Sequence, residues 1–171
     1  KRRIPARIKE PLAAPAVPHT CWSIDFMSDS LTSGRRFRTF NVLDDFNREA
    51  LAIEIDTSLP SSRVVQTLLR LFETYGKPCA IRMDNGPEFT SVMLEGFCKA
   101  HGVKLSFIQK GKPTQNAFIE RFNRSYREEI LNAYLFNSLK DVRELTARWV
   151  EDYNNFRPHE SLNNISPKEY A

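Results

Sequence analysis

Three acidic residues occupy positions where a carboxylate could serve metal chemistry. Asp25 lies within an alternating run over 20–27 whose opposite face is apolar, so burying its charge is costly unless something binds it. Asp84 opens an Asn-Gly-Pro turn after a short strand-like segment, and Glu120 falls near the start of an amphipathic helical pattern. Phosphodiester cleavage needs an activated nucleophile and charge neutralisation at the phosphate, and two divalent cations held by carboxylates supply both. Taken singly, each acid could equally be a surface charge or a helix cap.

The segments around these acids predict one mixed α/β domain. Three strand-like runs come first, and helices then alternate with strands, which implies a mixed sheet with helices on its faces. Ser61 and Ser138 are each predicted to be the N-cap of a helix. We predict strands over residues 20–27, 36–43, 50–56, 79–83 and 103–108, and helices over 61–75, 89–100, 115–132 and 139–154.

The predicted helix around Glu120 has a polar face and an apolar face. At about 100° per residue, Asn116, Asn123, Arg124 and Arg127 fall within about 60° of Glu120, whereas the apolar residues fall toward the other side. This arrangement sets a carboxylate among amide and guanidinium groups that can bind phosphates. A basic loop precedes the helix, and there we favour contact with DNA over simple solvation. The predicted nucleic-acid contacts are Lys110, Lys112, Asn116, Arg124 and Arg127.

Composition narrows the class of protein. The net charge of +4 is small, but basic residues crowd the first nine positions and the stretch 99–127, and such local fields attract nucleic acid. The three cysteines and three histidines are scattered, which argues against a zinc site or a disulfide framework. No apolar run is long enough to span a membrane, so we expect an intracellular protein. Residues 1–19, basic and rich in proline, are predicted to form an arm or linker leading into a domain over 20–171.

Several other residues have two interpretations. Asp44 and Asp45 suggest a carboxylate pair, but turn residues of a hairpin are the favoured interpretation. Glu88 could be an auxiliary metal ligand, although an ordinary charge at a helix N-terminus is favoured. For Arg157 and His159, near the end of the chain, both a packing role and a catalytic role stay open. For three aromatic residues, core positions are favoured over base stacking: Trp22, Trp149 and Tyr153.

The spacing of the acids resembles that of a known superfamily. Between Asp25 and Asp84 lie 58 residues, and between Asp84 and Glu120 lie 35, which is similar to the D,D-35-E pattern of retroviral integrases. The segments KPTQNAFIERFNR (112–124) and YNNFRPHESL (153–162) resemble bacterial insertion-sequence transposases of the IS-three type. The resemblance spans roughly residues 20–171, and several separate motifs carry it.

This resemblance implies a fold, an activity and its partners. The fold is ribonuclease-H-like, with a five-stranded mixed sheet flanked by helices, and Asp25, Asp84 and Glu120 are the catalytic metal ligands for two Mg²⁺ or Mn²⁺ ions. The implied enzyme is a DDE polynucleotidyl transferase. It cleaves a strand at a transposon end, and the freed 3′-hydroxyl then attacks another phosphodiester. Its partners are the transposon ends, a target duplex and further copies of the chain, with no membrane and no small-molecule substrate, in the bacterial cytoplasm at the nucleoid. Two rivals remain, a metal nuclease of the same fold that does not join strands and a non-enzymatic DNA-binding module.

Overall fold

A computed structural model describes residues 12–109 and 111–171. Its five strands form one sheet in the order β3-β2-β1-β4-β5. β2 runs antiparallel to both β1 and β3, and β4 runs parallel to both β1 and β5. The predicted five-stranded mixed sheet is therefore confirmed. The strands are β1 (Cys21–Ser30), β2 (Arg36–Asp44), β3 (Ala50–Asp56), β4 (Ala80–Met83) and β5 (Lys104–Phe107).

Helices cover the two faces of this sheet. In chain order they are α1 (Ser61–Tyr75), α2 (Val92–Ala100), α3 (Ala117–Tyr126), α4 (Leu139–Asn155) and the short α5 (Pro167–Tyr170). A 3₁₀ turn, Pro113–Asn116, leads into α3, and a π-helical segment, Arg127–Leu131, follows it. The helix predicted over 115–132 is thus divided into three parts with different hydrogen-bonding patterns. None of the helices in the described part of the chain is both long and apolar enough to cross a membrane.

The starts of two helices differ from prediction. Ser61 is the first residue of α1 rather than its cap, and Pro60 takes the N-cap position with no side-chain hydrogen bond. α2 begins at Val92 instead of Phe89, because the Ser91 hydroxyl accepts a hydrogen bond from the Leu94 N–H. The predicted N-cap of α4 is confirmed, since the Ser138 hydroxyl accepts from the Asp141 N–H.

Alternation along β1 separates two cores. Trp22 and Ile24 are fully buried on the face covered by α1 and α2. Met27 belongs to the core on the opposite face, which α4 and the π-helical segment cover. Asp25 has the same parity as Met27 and therefore points toward the second set of helices. The core positions predicted for Trp22 and Tyr153 are confirmed. Trp149 is half-buried and packs against the cluster that contains Tyr153.

The hairpin between β2 and β3 is held by a buried polar network. Asp44 ends β2, and Asp45 begins the turn, as the favoured interpretation predicted. Both side chains are nevertheless fully buried. Asp45 accepts a hydrogen bond from Ser23 and pairs with Arg82 at 2.5 Å, which compensates for burying its charge. These contacts tie the hairpin to β1 and β4.

The boundary predicted between the arm and the domain stays a prediction. Residues 1–11, with the first basic cluster, lie outside the described residues. His19, assigned to the arm, donates its backbone N–H to Asp44, and its ring accepts from the Trp22 indole N–H at 3.1 Å. The last residue of the predicted arm is therefore packed against the domain.

Candidate active site

Asp25 is held in place by a chain of amide groups. One carboxylate oxygen accepts from the Asn123 side chain at 2.9 Å, and the other accepts from the Phe26 N–H. Asn123 in turn accepts a 2.8 Å hydrogen bond from Asn41, which lies opposite Asp25 on β2. Burial, together with the charges of Asp84 and Glu120, raises the pKa of Asp25 to about 6. The carboxylate is therefore oriented, but it carries an uncompensated charge.

Asp84 reaches the same edge of the sheet because β4 lies beside β1. Ser23 pairs with Arg82 in parallel register, and continuing that register by two residues sets Asp84 beside Asp25. An Asp84 oxygen accepts from the Gly86 N–H at 2.8 Å. A Cβ atom added at Gly86 would lie 2.8 Å from that same oxygen, so any other residue would displace the carboxylate. The glycine of the predicted turn thus fixes where Asp84 points.

Glu120 approaches from the first turn of α3, which packs on β1 and β2. Its side chain is exposed, and partial burial raises its pKa, while Arg124 opposes that rise. The three acids come from β1, the end of β4 and α3. Asp84 and Glu120 lie close enough to Asp25 for their charges to raise its pKa. Within residues 12–109 and 111–171, no group of three or more Asp, Glu, His or Cys side chains is already arranged to hold a metal ion. Some closing of these three carboxylates is therefore needed for a cation to bind all of them.

The residues predicted to contact DNA differ in their exposure. Lys112 and Arg124 are exposed, and Arg124 lies close enough to Glu120 for its charge to oppose the rise in the pKa of that acid. Arg127 donates to the Ser28 carbonyl and lies 3.5 Å from the Asp29 carboxylate, so its charge is partly used in fixing α3 to β1. Asn116 is only 3% exposed, because the 3₁₀ turn directs it inward, and this burial does not fit the expected surface contact. Lys110 lies outside the described residues.

Glu88 does not fit its favoured interpretation as a charge at a helix N-terminus, and its interpretation as an auxiliary metal ligand stays open. α2 begins after it, so Glu88 does not lie in the first helical turn. Its carboxylate pairs with Arg38 at 2.8 Å. A backbone hydrogen bond and then the Arg38 guanidinium hold its pKa below the usual range. Glu88 is therefore a salt-bridged residue on the loop that follows Asp84.

Arg157 and His159 pack at the far end of α4. The Arg157 guanidinium pairs with the Glu129 carboxylate and lies 5.5 Å from the centre of the Tyr153 ring. The His159 ring meets Tyr153 edge-on at 5.1 Å. Burial, followed by the charge of Arg157, lowers the pKa of His159 to about 4. These contacts favour the packing role for both residues.

Sequence reasoning did not assign Asn123, Asn41 or Gly86 to the site. Asn123 had a usable signal, because it lies three residues after Glu120 on the same polar helix face. Asn41 had none, since its position opposite Asp25 depends on the register of β2. Gly86 was recognised only as part of a turn. The structure adds its close approach to the Asp84 carboxylate.

Comparison with known proteins identifies the family. Models described as "Integrase core domain" match residues 15–113 and 101–167. The chain is 46% identical, over 95% of its length, to the insertion element IS407 31.7 kDa protein of Burkholderia multivorans, and 40% identical, over 100%, to the IS476 39.2 kDa protein of Xanthomonas euvesicatoria. It spans 59% and 49% of those two relatives.

The structural comparison agrees. The HTLV-2 integrase catalytic core domain, solved in complex with magnesium in a trimeric form, matches with a TM-score of 0.71 at 19% identity and covers 91% of this chain and 97% of that one. The ribonuclease-H-like fold implied by the resemblance is thereby confirmed. Together with the family models, this likeness leads to one conclusion: the chain belongs to the integrase core domain family.

Proposed function

We propose that this chain is the catalytic core of a DNA transposase in which Asp25, Asp84 and Glu120 bind two Mg²⁺ or Mn²⁺ ions. The observation that carries the proposal is the convergence of three acids from distant parts of the chain, seen in the effect of Asp84 and Glu120 on the pKa of Asp25. Like charges gathered at one sheet edge destabilise a protein unless a cation joins them. Membership of the integrase core domain family and the two insertion-element relatives support the same function.

The donor set fits a hard divalent cation. All three proposed ligands are carboxylates, which Mg²⁺ prefers, and no sulfur ligand is involved. Asp25 is largely buried and has its pKa raised to about 6, so a bound cation would relieve an existing electrostatic cost. When bound, the ions would supply Lewis-acid stabilisation of charge at the scissile phosphate. The HTLV-2 core, solved with magnesium, makes this ion the first choice.

The surrounding residues have separate tasks in this proposal. Asn123 orients Asp25, and Gly86 gives space to the Asp84 carboxylate. Lys112 and Arg124, both exposed near Glu120, bind phosphates on either side of the cleaved bond. Arg127 shares its charge between Asp29 and the DNA. The order of events is cleavage at a transposon end and then attack of the freed 3′-hydroxyl on a second duplex.

The proposed partners are two transposon ends, a target duplex and further copies of this chain. The HTLV-2 integrase catalytic core domain has been solved in dimeric and trimeric forms, which supports the proposal that this chain assembles with further copies of itself. Because the substrate is DNA, we place the protein in the bacterial cytoplasm at the nucleoid.

A charge-removing substitution at Glu120 tests the proposal. The full-length protein that contains this core is incubated with Mg²⁺ and a duplex carrying the element end, and both end cleavage and joining to a second duplex are measured. Glu120→Gln should reduce both by about 100-fold or more, beyond the ~10–100-fold typical of outer-shell changes. The matched control is Glu144→Gln, which removes an exposed charge on α4. The Glu144 carboxylate lies 3.7 Å from the Lys140 ammonium group.

Three results would overturn the proposal. Cleavage that is never followed by joining would indicate a nuclease of the same fold. DNA binding with neither reaction would indicate a non-enzymatic binding module. Full activity of Glu120→Gln, with the variant folded normally by circular dichroism, would remove Glu120 from the active site.

A further inference from the structure

The reverse side of α3 borders a cavity of about 180 Å³ that the active site does not use. Three guanidinium groups line it, and we call it the arginine cavity. They come from the hairpin (Arg48), from α3 (Arg121) and from the segment after α4 (Arg157), and His159 and Ser125 also line it. Phe118 and Phe122 form an apolar wall. Among the described residues that line it, Glu160 is the single acid, so the cavity has an excess of positive charge.

The arginine cavity is separate from the acidic site. At about 100° per residue, Phe118 and Phe122 lie about 160° around α3 from Glu120, and Ser125 lies about 140° away. Glu120 therefore faces one side of the helix, and the cavity lies on the other. None of the contacts that orient Asp25 or Asp84 involves a residue of the cavity lining.

The guanidinium groups are held in place with donors to spare. Arg48 stacks over the Phe118 ring at 4.0 Å, and its Nη1 donates to the carbonyls of Asp45 and Phe46. A guanidinium group has five N–H donors, so the remaining donors of Arg48 stay available. Arg157 uses its Nη2 toward Glu129. For Arg121, no carboxylate among the described residues lies within ion-pair distance, so its charge lacks a protein partner.

His159 adds an unpartnered hydrogen-bonding atom. Its Nε2 is buried and has no hydrogen-bond partner among the described residues. Burial and the charges of Arg157, Arg121 and Arg48 lower the pKa of this histidine to about 4, so the ring is neutral and can still donate one N–H. Buried polar atoms are normally satisfied by protein, water or a ligand. An anion in the cavity would lie among the three positive charges.

We propose that the arginine cavity binds a backbone phosphate of DNA, held by Arg48, Arg121 and Arg157. Planar guanidinium donors match the geometry of a phosphate oxygen pair, and the apolar wall strengthens the attraction by excluding water. The volume corresponds to roughly six waters at ~30 Å³ each, which accommodates a phosphate group with part of its hydration. The choice of DNA as the source of the phosphate rests on the proposed function. The site gives the core a second DNA contact, on the opposite side of α3 from the acids.

Two variants test the cavity by different physical routes. Arg121→Gln removes a charge that has no ion-pair partner within residues 12–109 and 111–171, and Ser125→Leu fills the cavity without changing charge. Binding of the full-length protein to a fluorescein-labelled duplex of arbitrary sequence is measured by anisotropy in EDTA, so that active-site metals play no part. Each variant should weaken binding about fivefold to tenfold, and Arg121→Gln should reduce the salt slope by about 0.9. Arg70→Gln, which removes an exposed charge on α1, is the matched control and should bind like the wild type.

A second measurement distinguishes DNA from free phosphate as the ligand of the cavity. It also distinguishes a failure of the cavity assignment from a failure of the proposed function. Inorganic phosphate is titrated into the protein while the His159 ring signal is followed by NMR, and the signal should shift in the wild type but not in Arg121→Gln. Wild-type DNA affinity in both cavity variants would overturn the proposal. A phosphate-induced shift without any DNA effect would overturn the assignment to DNA in favour of a free anion. If strand cleavage and joining fail while the cavity variants still lose DNA affinity, the proposed function falls and the cavity assignment stands.

Discussion

The Asp25 carboxylate combines rigid positioning with an electrostatic cost. Its two oxygens are fixed by Asn123 and by the Phe26 N–H, which favours the charged form, but burial outweighs both and raises the pKa. Asp84 and Glu120 add to that rise. A group that is well oriented yet poorly stabilised as an anion is prepared for a cation, because this carboxylate need not reorient when the ion arrives.

The raised pKa of Asp25 predicts how stability of the metal-free protein changes with pH. The folded pKa of about 6 exceeds the unfolded value of 3.8, so between these values the folded state binds more protons. This contribution of Asp25 lowers the free energy of unfolding as pH rises from about 4 to about 6, whereas His159, whose pKa is lowered from 6.5 to about 4, raises it over a similar interval. The difference in stability between Asp25→Asn and the wild type isolates Asp25, and it should grow in favour of the variant over this interval and reach about 1–3 kcal/mol at pH 7.5 in EDTA.

Urea denaturation across this pH range, in EDTA, measures the effect. Asp152→Asn changes an exposed acid on α4 and should keep the wild-type dependence on pH. Addition of Mg²⁺ should stabilise the wild type and leave Asp25→Asn nearly unchanged, because a ligand stabilises only the state that binds it. A stability difference between Asp25→Asn and the wild type that does not grow with pH over this interval would contradict the assignment of Asp25 as a partly buried, destabilised acid.

At the scale of elements, α4 is joined to the sheet by the Asn154 side chain, which forms hydrogen bonds with backbone groups of β3 as a neighbouring strand would. Asn154, buried at the end of α4, accepts from the Ala50 N–H at 2.8 Å and donates to the Ala50 carbonyl at 2.9 Å. Ala50 begins β3, close to an irregularity in the pairing of β2 with β3. The asparagine amide thus satisfies both backbone groups of the residue at which α4 docks on the sheet.

Adjacent asparagines at the end of α4 provide a matched test of this connection. Asn154→Ala leaves two buried backbone groups without partners and should cost about 2–4 kcal/mol of unfolding free energy. Asn155→Ala removes only a side-chain bond to the Glu151 carbonyl within the helix, and should change stability by no more than about 0.5 kcal/mol. Chemical denaturation of the two variants gives the comparison, and equal losses would show that the Asn154 contact carries no special weight.

Side-chain periodicity predicted the elements better than their ends. The bounds of β3 and the extent of α4 agree with prediction to within one residue, because apolar spacing is set by the faces that must be buried. Ser61 was predicted to be a cap but lies in the helix, and Ser91 was predicted to lie in the helix but is a cap. A cap depends on which backbone N–H groups the preceding loop leaves free. The inward turn of Asn116 likewise follows from a 3₁₀ geometry that spacing does not encode.

At the scale of the whole molecule, the sheet brings together residues that the chain separates. Asp84 was predictable at the carboxyl edge of its strand, but its position next to Asp25, which lies within β1, depends on β4 being the parallel neighbour of β1. The arginine cavity was not predictable. Arg48, Arg121 and Arg157 reach it from three elements, and their meeting depends on how α3 and the C-terminal segment pack beside the hairpin.

Positive charge on both sides of α3 predicts how the 171-residue chain binds DNA. Lys112, Arg124 and Arg127 beside the acids, together with the arginine cavity, offer about four phosphate contacts, and each releases about 0.9 counterions. A plot of log affinity against log salt concentration should therefore have a slope of about −3 to −4. Because phosphate contacts carry no base information, two unrelated duplexes of equal length should bind within about twofold. Anisotropy titrations over a range of salt test both points, and strong preference for one sequence or a nearly flat slope would show that base contacts, rather than phosphates, dominate the interface.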